Sequence, residues 1–275
     1  MPDPARKPTR IDSHAHVFKR GLPLMPGHRH APQHDALLPE LLGTLDRHGV
    51  THGVLTAPSF YGTDNSFLLA ALAAAPGRLR GTVIVDSSIP RATLERMNRA
   101  GVVGIRFNML RRPDLPDLRA PAWRRVLEAA AALDWHAEIY IEGPRLPALL
   151  TSALETGIKV VVDHFGSPDP ALGAACAGFR ALLDAIGEGR AWAKLSAPYR
   201  LGGADPAPYA AALLGAGGPE RLVWASDWPW TQHSEGLTYA KVLGWLDRWV
   251  PDAAQRERIL GETPWTVFKF AARPH

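Results

Sequence analysis

Short runs rich in β-branched and apolar residues recur along the chain, each followed by a longer segment whose apolar residues return every three or four positions. Eight runs read as strands: residues 10–15, 53–57, 81–85, 102–107, 136–141, 159–163, 191–195 and 222–225. Several, Val160-Val161-Val162 among them, are apolar at successive positions, the mark of a parallel strand covered on both faces. Between the strands, Leu37, Leu38, Leu41, Leu42 and Leu45 form a helical stripe that stops at Gly49. Asn65 or Ser66 caps a helix carrying Phe67, Leu68, Ala71 and Leu72, which Pro76 and Gly77 end. Pro121 opens the helix of Trp123, Val126, Leu127 and Leu133. The stripes Leu146–Leu154 and Phe179–Ile186 run to Gly157 and Gly187, and a short Ala-rich helix lies near 209–214.

This βα period runs without a break in composition, so it predicts one α/β domain over residues 1–275: a closed (β/α)8 barrel, the TIM-barrel architecture, after a flexible lead at 1–10. A doubly wound open sheet is the alternative. Two irregular segments, 19–33 and 226–236, follow the first and eighth strands, where such barrels carry their active-site loops. An apolar content of 46% supplies one large core, while no run of about 18 apolar residues and no signal-like h-region occurs, so the expected location is the cytoplasm, off the membrane. The lone cysteine, Cys176, excludes an internal disulfide. A net charge of +4, scattered rather than clustered, argues against nucleic acid as a partner and leaves a homo-oligomer open. It does allow several arginines to converge on a small anion.

The densest chemistry lies in Asp12-Ser13-His14-Ala15-His16, because strand alternation sends both histidines to one face at the strand's C-terminal end. Two imidazoles there can bind a metal or polarise a carbonyl; the blander alternative is a pair of hydrogen-bonded core histidines. His164 ends an apolar run before Phe165-Gly166, and Asp227 ends another before Trp228-Pro229-Trp230. Both therefore point toward the same mouth. Asp227 could merely cap the next helix, but a carboxylate walled by aromatics beside imidazoles suits taking a proton from water.

These segments, with Asp163-His164-Phe165-Gly166, Lys194-Leu195-Ser196-Ala197-Pro198-Tyr199-Arg200 and Trp224-Ala225-Ser226-Asp227-Trp228-Pro229, resemble the amidohydrolase superfamily. More narrowly they resemble its lactonase group, which acts on 2-pyrone-4,6-dicarboxylate, sulfomuconolactone and sugar-acid lactones. The likeness extends from residue 11 to the segment 263–270, where Thr263 stands in place of the group's Asn before Pro264. Pro58 to Asn65 also resembles the second-strand loop of the pyrone and muconolactone branch.

The resemblance implies that Asp227 activates water, with His14, His16 and His164 around the scissile carbonyl or around a metal. It assigns substrate contacts to Ser59, Arg106, Arg112, Tyr140 and Arg200. Arg106 ends the fourth strand and Arg200 follows the seventh, so both can reach one cavity; a buried ion pair and a surface loop are their respective structural alternatives. Binuclear members of the superfamily carry a lysine on the fourth strand and a histidine on the fifth, where this chain offers Arg106 and Tyr140. At most one divalent ion, Zn2+ or Mn2+, is therefore expected on His14, His16, His164 and Asp227, and metal-free activity stays open. The expected reaction is hydrolysis of a carboxylated or sulfonated lactone in aromatic-compound breakdown. A sugar-acid lactonase, a metal-dependent decarboxylase and a non-catalytic anion-binding barrel are the alternatives.

Overall fold

The structure is a computed structural model that describes residues 9–270. Eight strands lie among the described residues: β1 (Ile11–Ala15), β2 (His52–Thr56), β3 (Leu79–Val83), β4 (Val102–Asn108), β5 (His136–Tyr140), β6 (Lys159–Val162), β7 (Ala191–Leu195) and β8 (Leu222–Trp224). Each pairs in parallel with the next in the order of the sequence. The expected strands are all present, with ends displaced by one or two residues. β8 returns to β1 through a parallel bridge between Ala15 and Trp228, so the sheet closes into a barrel and the open-sheet alternative falls.

The helices cover the outside. α1 (Leu38–Arg47), α2 (Ser66–Ala74), α4 (Pro121–Ala132), α5 (Leu146–Leu154), α6 (Ala177–Gly187) and α7 (Ala207–Gly217) follow the predicted stripes, and their buried leucines pack on the strands. Among the α-helices of the described residues, α3 (Arg91–Arg99), α8 (Tyr239–Trp249) and the short α9 (Ala253–Glu257) carried no such forecast. α3 buries only Leu94 fully, too little apolar surface to set a stripe apart from its charged residues. α8 is capped by Thr238, whose side chain accepts from the Lys241 N–H at 3.2 Å. Among the described residues no helix is long and apolar enough to cross a membrane.

Inside the barrel the strands change character from one end to the other. The N-terminal end is an apolar plug of Ile11, Val54, Val103, Val161 and Val223, closed by Val267, Phe268 and Phe270. Gly104 opens the next level, since a Cβ there would lie 2.4 Å from the His136 ring. The flexible lead expected at 1–10 lies outside the described residues except for Thr9 and Arg10. Arg10 is tied down, its backbone N–H donating to Thr51 Oγ1 at 3.2 Å and its guanidinium to Glu257 at 2.7 Å.

Candidate active site

The site begins at the barrel's seam. Because β8 and β1 share one bridge rather than a full ladder, their last backbone bonds fall on the functional residues: His16 N–H donates to Trp228 O at 2.8 Å, and Asp227 N–H donates to His14 O at 2.9 Å. Asp12 secures the same seam. Its carboxylate accepts from the Ser226 N–H at 2.9 Å, the His14 N–H at 3.2 Å and the Tyr239 hydroxyl at 2.8 Å. The chain then leaves three strand ends in the left-handed region, at His164 (φ 51°) and Phe165 (φ 56°) after β6, Ala197 (φ 48°) after β7 and Asp227 (φ 56°) after β8. Each costs on the order of 1–3 kcal/mol for a residue with a Cβ, so the surrounding bonds must hold these side chains where they are.

Below the mouth sits a buried layer of charge. Lys194 Nζ–H donates to Glu138 Oε2 at 2.5 Å and to His14 Nδ1 at 3.0 Å, and pairs with Asp163 Oδ1 at 3.1 Å. Arg106 donates to the Ala57 carbonyl at 2.8 Å and lies 3.3 Å from Glu138 and 3.6 Å from Asp163. Two cations thus face two carboxylates, and the layer is neutral although fully buried. Burial and the neighbouring Asp163 push the Glu138 carboxyl up, but Lys194 and His14 outweigh them; Asp163, likewise raised by burial, is held well below the usual range by Lys194 and His14.

The reactive groups stand on this layer. His14 Nε2 and His16 Nε2 are 3.1 Å apart. A carbonyl only accepts, so His16 Nδ1 must donate to Thr56 O at 2.7 Å, which leaves His16 Nε2 as the acceptor in the neutral ring. Lysine only donates, so His14 Nδ1 accepts from Lys194 and the His14 proton sits on Nε2, facing His16. Burial, then the Lys194 charge, pulls His14 down to about 4; burial takes His164 to about 3. Both rings are neutral at neutral pH.

Asp227 is two-sided. Its Oδ2 accepts from the Tyr199 hydroxyl at 2.8 Å and from Arg200 Nε at 3.0 Å, while Oδ1 faces His16 Nε2 at 3.4 Å and His14 Nε2 at 3.6 Å. Burial raises this carboxyl, yet the Arg200 guanidinium above all holds it well below the usual range. Tyr199, raised well above its usual value by burial and by the Asp227 charge, stays protonated and keeps donating.

Over these groups opens a cavity of about 720 Å³, lined by His16, His164, Asp227, Ser59, Arg106, Tyr140 and Arg200 among others. His14 is fully buried directly behind His16. Tyr140 stands edge-on to the His164 ring, 4.7 Å between centroids. Arg106 both reaches the cavity and belongs to the buried ion layer, and Arg200 is no surface residue but the clamp on Asp227. Arg112 is exposed and outside the lining, whereas its neighbour Arg111, in the left-handed region at φ 55°, is part of it. Sequence reasoning left Glu138, Asp163, Lys194, Asp12 and Tyr199 without roles. Glu138 carried one usable signal, an acid in the middle of a strand otherwise destined for the core.

Among the described residues, two groups of side chains have the donor chemistry for a cation. His14, His164 and Asp227 bring ligand atoms within 4.8 Å of one another, as do His14, Glu138 and Asp163. The second group already surrounds the Lys194 ammonium, which contacts all three of its members. Only the first group fits a divalent ion.

An amidohydrolase family model matches residues 11–270. The chain belongs to the amidohydrolase family. Among solved structures, this amidohydrolase is similar to a Pseudomonas putida protein provisionally assigned as a 2-pyrone-4,6-dicarboxylic acid hydrolase, at 41% identity and a TM-score of 0.87, covering 97% of this chain and 99% of that one. It is 29% identical to a 2-pyrone-4,6-dicarboxylate hydrolase of Comamonas testosteroni, over 94% of this chain and 89% of the relative. A D-galactarolactone isomerase of Agrobacterium fabrum is 28% identical over 98% of this chain and 94% of its own length.

Proposed function

We propose that this amidohydrolase opens the ring of a lactone bearing carboxylate or sulfonate groups, of the 2-pyrone-4,6-dicarboxylate or muconolactone type, by Asp227-activated water. It is a lactonase-type hydrolase, and of the relatives named above one hydrolyses 2-pyrone-4,6-dicarboxylate and another acts on D-galactarolactone. The observation that carries the reading is the two-sided Asp227: one oxygen is fixed by Tyr199 and Arg200, and the other faces the imidazoles at the floor of an arginine-lined cavity.

In this reading the ester carbonyl lies over His14, His16 and His164, whose neutral rings polarise it. Water between the carbonyl carbon and Asp227 Oδ1 gives its proton to the carboxylate as its oxygen bonds to carbon. The ring C–O bond then breaks, and the proton on Asp227 passes to the departing ring oxygen. The product is an open-chain hydroxy or keto acid, which suits a step in the breakdown of aromatic compounds. Arginines in the lining hold the substrate's anionic groups. A single Zn2+ or Mn2+ would be held by His14, His164 and Asp227 and would supply Lewis acidity to the carbonyl.

Asp227→Asn tests the base. The amide keeps the size and the bonds from Tyr199 and Arg200 to its oxygen but cannot take the proton, so kcat is expected to fall about 10² to 10⁴-fold with an unchanged melting temperature. Turnover within a few-fold of the parent would refute Asp227 as the base.

A further inference from the structure

Five arginines line the cavity: Arg29, Arg106, Arg111, Arg145 and Arg200. Three are already matched to carboxylates. Arg106 faces Glu138 and Asp163, Arg145 meets Glu142 at 3.2 Å, and Arg200 meets Asp227 at 3.0 Å. Arg29 differs. It comes from the long loop between β1 and α1, and among the described residues its guanidinium donates from Nη2 to the neutral Asn108 Oδ1 at 3.0 Å. No carboxylate among the described residues pairs with it. Asn108 ends β4 one turn of the pleat above Arg106, is buried and also lines the cavity. Because guanidinium only donates, Asn108 must turn its oxygen to Arg29, which leaves its NH2 to face a further acceptor. The surroundings are cationic: burial pulls Arg29 down, Tyr140 opposes it, and Arg106, Arg111 and Arg200 add to the pull. An uncompensated guanidinium crowded by three others, beside an unused amide donor, is an anion seat.

We infer that Arg29 and Asn108 form an anion subsite at the rim of the cavity, which takes a substrate carboxylate or sulfonate remote from the ester being cleaved. The inference rests on the lactonase reading for the identity of the substrate, but the subsite itself is a statement about polyanion binding. It gives the substrate an anionic group at the rim, away from the ester over the imidazoles, and it makes the loop between β1 and α1 a determinant of specificity.

Binding of unreactive acids separates the two. Calorimetric titration of the enzyme with butyrate, glutarate and tricarballylate is expected to show affinity rising with each added carboxylate. Arg29→Gln is expected to weaken tricarballylate about ten- to a hundredfold, the worth of one charge-assisted contact, while changing butyrate less than about twofold. Asn108→Ala should shift the same acid in the same direction. Failure of the parent to bind tricarballylate, or equal losses for all three acids in Arg29→Gln, overturns the subsite whatever the lactonase assay gives. Conversely, a chain that opened no lactone but showed the selective loss would keep the subsite and lose only the reading of the reaction.

Discussion

The two ends of the barrel are made by the same eight strands and hold their interiors together by opposite means. At the N-terminal end, Ile11, Val54, Val161 and Val223 meet Phe268 and Phe270, and any one of them can shrink by a methyl group at modest cost because its neighbours are indifferent to which atom touches them. A few residues further along, Lys194, Arg106, Glu138 and Asp163 are buried equally deeply, yet each depends on a particular partner. Removing one leaves an opposite charge without water and without a mate. The contrast shows why the reactive end can be aimed: His14 receives its proton arrangement from Lys194, something an apolar layer could not supply.

The sharpest way to break this comparison is Lys194→Met. The side chain is close in size, but Glu138 and Asp163 lose their shared cation, and a stability loss of about 3–5 kcal/mol is expected in denaturant unfolding. A loss under about 1 kcal/mol would mean that the layer is held by packing like the plug beneath it. Next comes Arg200→Met. Since Arg200 is bonded to Asp227, its removal should lower kcat/KM about ten- to a hundredfold for anionic and neutral lactones alike, the value of a charged hydrogen bond. A loss confined to anionic lactones would instead make Arg200 a direct ligand of the substrate.

At the other end, Ile11→Val should cost only about 0.5–1.5 kcal/mol and leave kcat unchanged, as melting curves and initial rates would register. A change in kcat would show that the plug and the charged layer are mechanically joined. The smallest effect is expected from pH. A carboxyl with a depressed pKa keeps its charge until the pH falls through that lowered value, and His14 and His164 stay neutral until about 4 and about 3. The kcat should therefore hold level from pH 8 to about pH 5, below which ordinary carboxylates begin to titrate. An acidic limb near 6.5 would show that an imidazole of the site changes charge during turnover.

Much of the architecture was already written in local pattern. Apolar runs such as Val160–Val162 need two covered faces, leucine stripes need a helix, and their strict alternation needs a parallel sheet. His14, His16, His164 and Asp227 stood out because each ends such a run, where a barrel strand opens into its mouth. The helix α3 did not stand out, since a single buried Leu94 carries too little signal.

What closure of the barrel alone decided is which charges meet. Glu138, Lys194 and His14 lie far apart in the sequence, 56 positions separating the first two and 180 the last two, and no local pattern relates them. The same holds for the duties of the arginines. Arg106 and Arg200 read equally well as substrate ligands or as structural pairs, and only the folded chain shows their carboxylates already in place while Arg29, on an irregular loop, has none among the described residues. Hydrophobic periodicity is a property of neighbouring residues and survives in the linear text; electrostatic pairing depends on distance in space, which the chain acquires only when β8 comes back to β1.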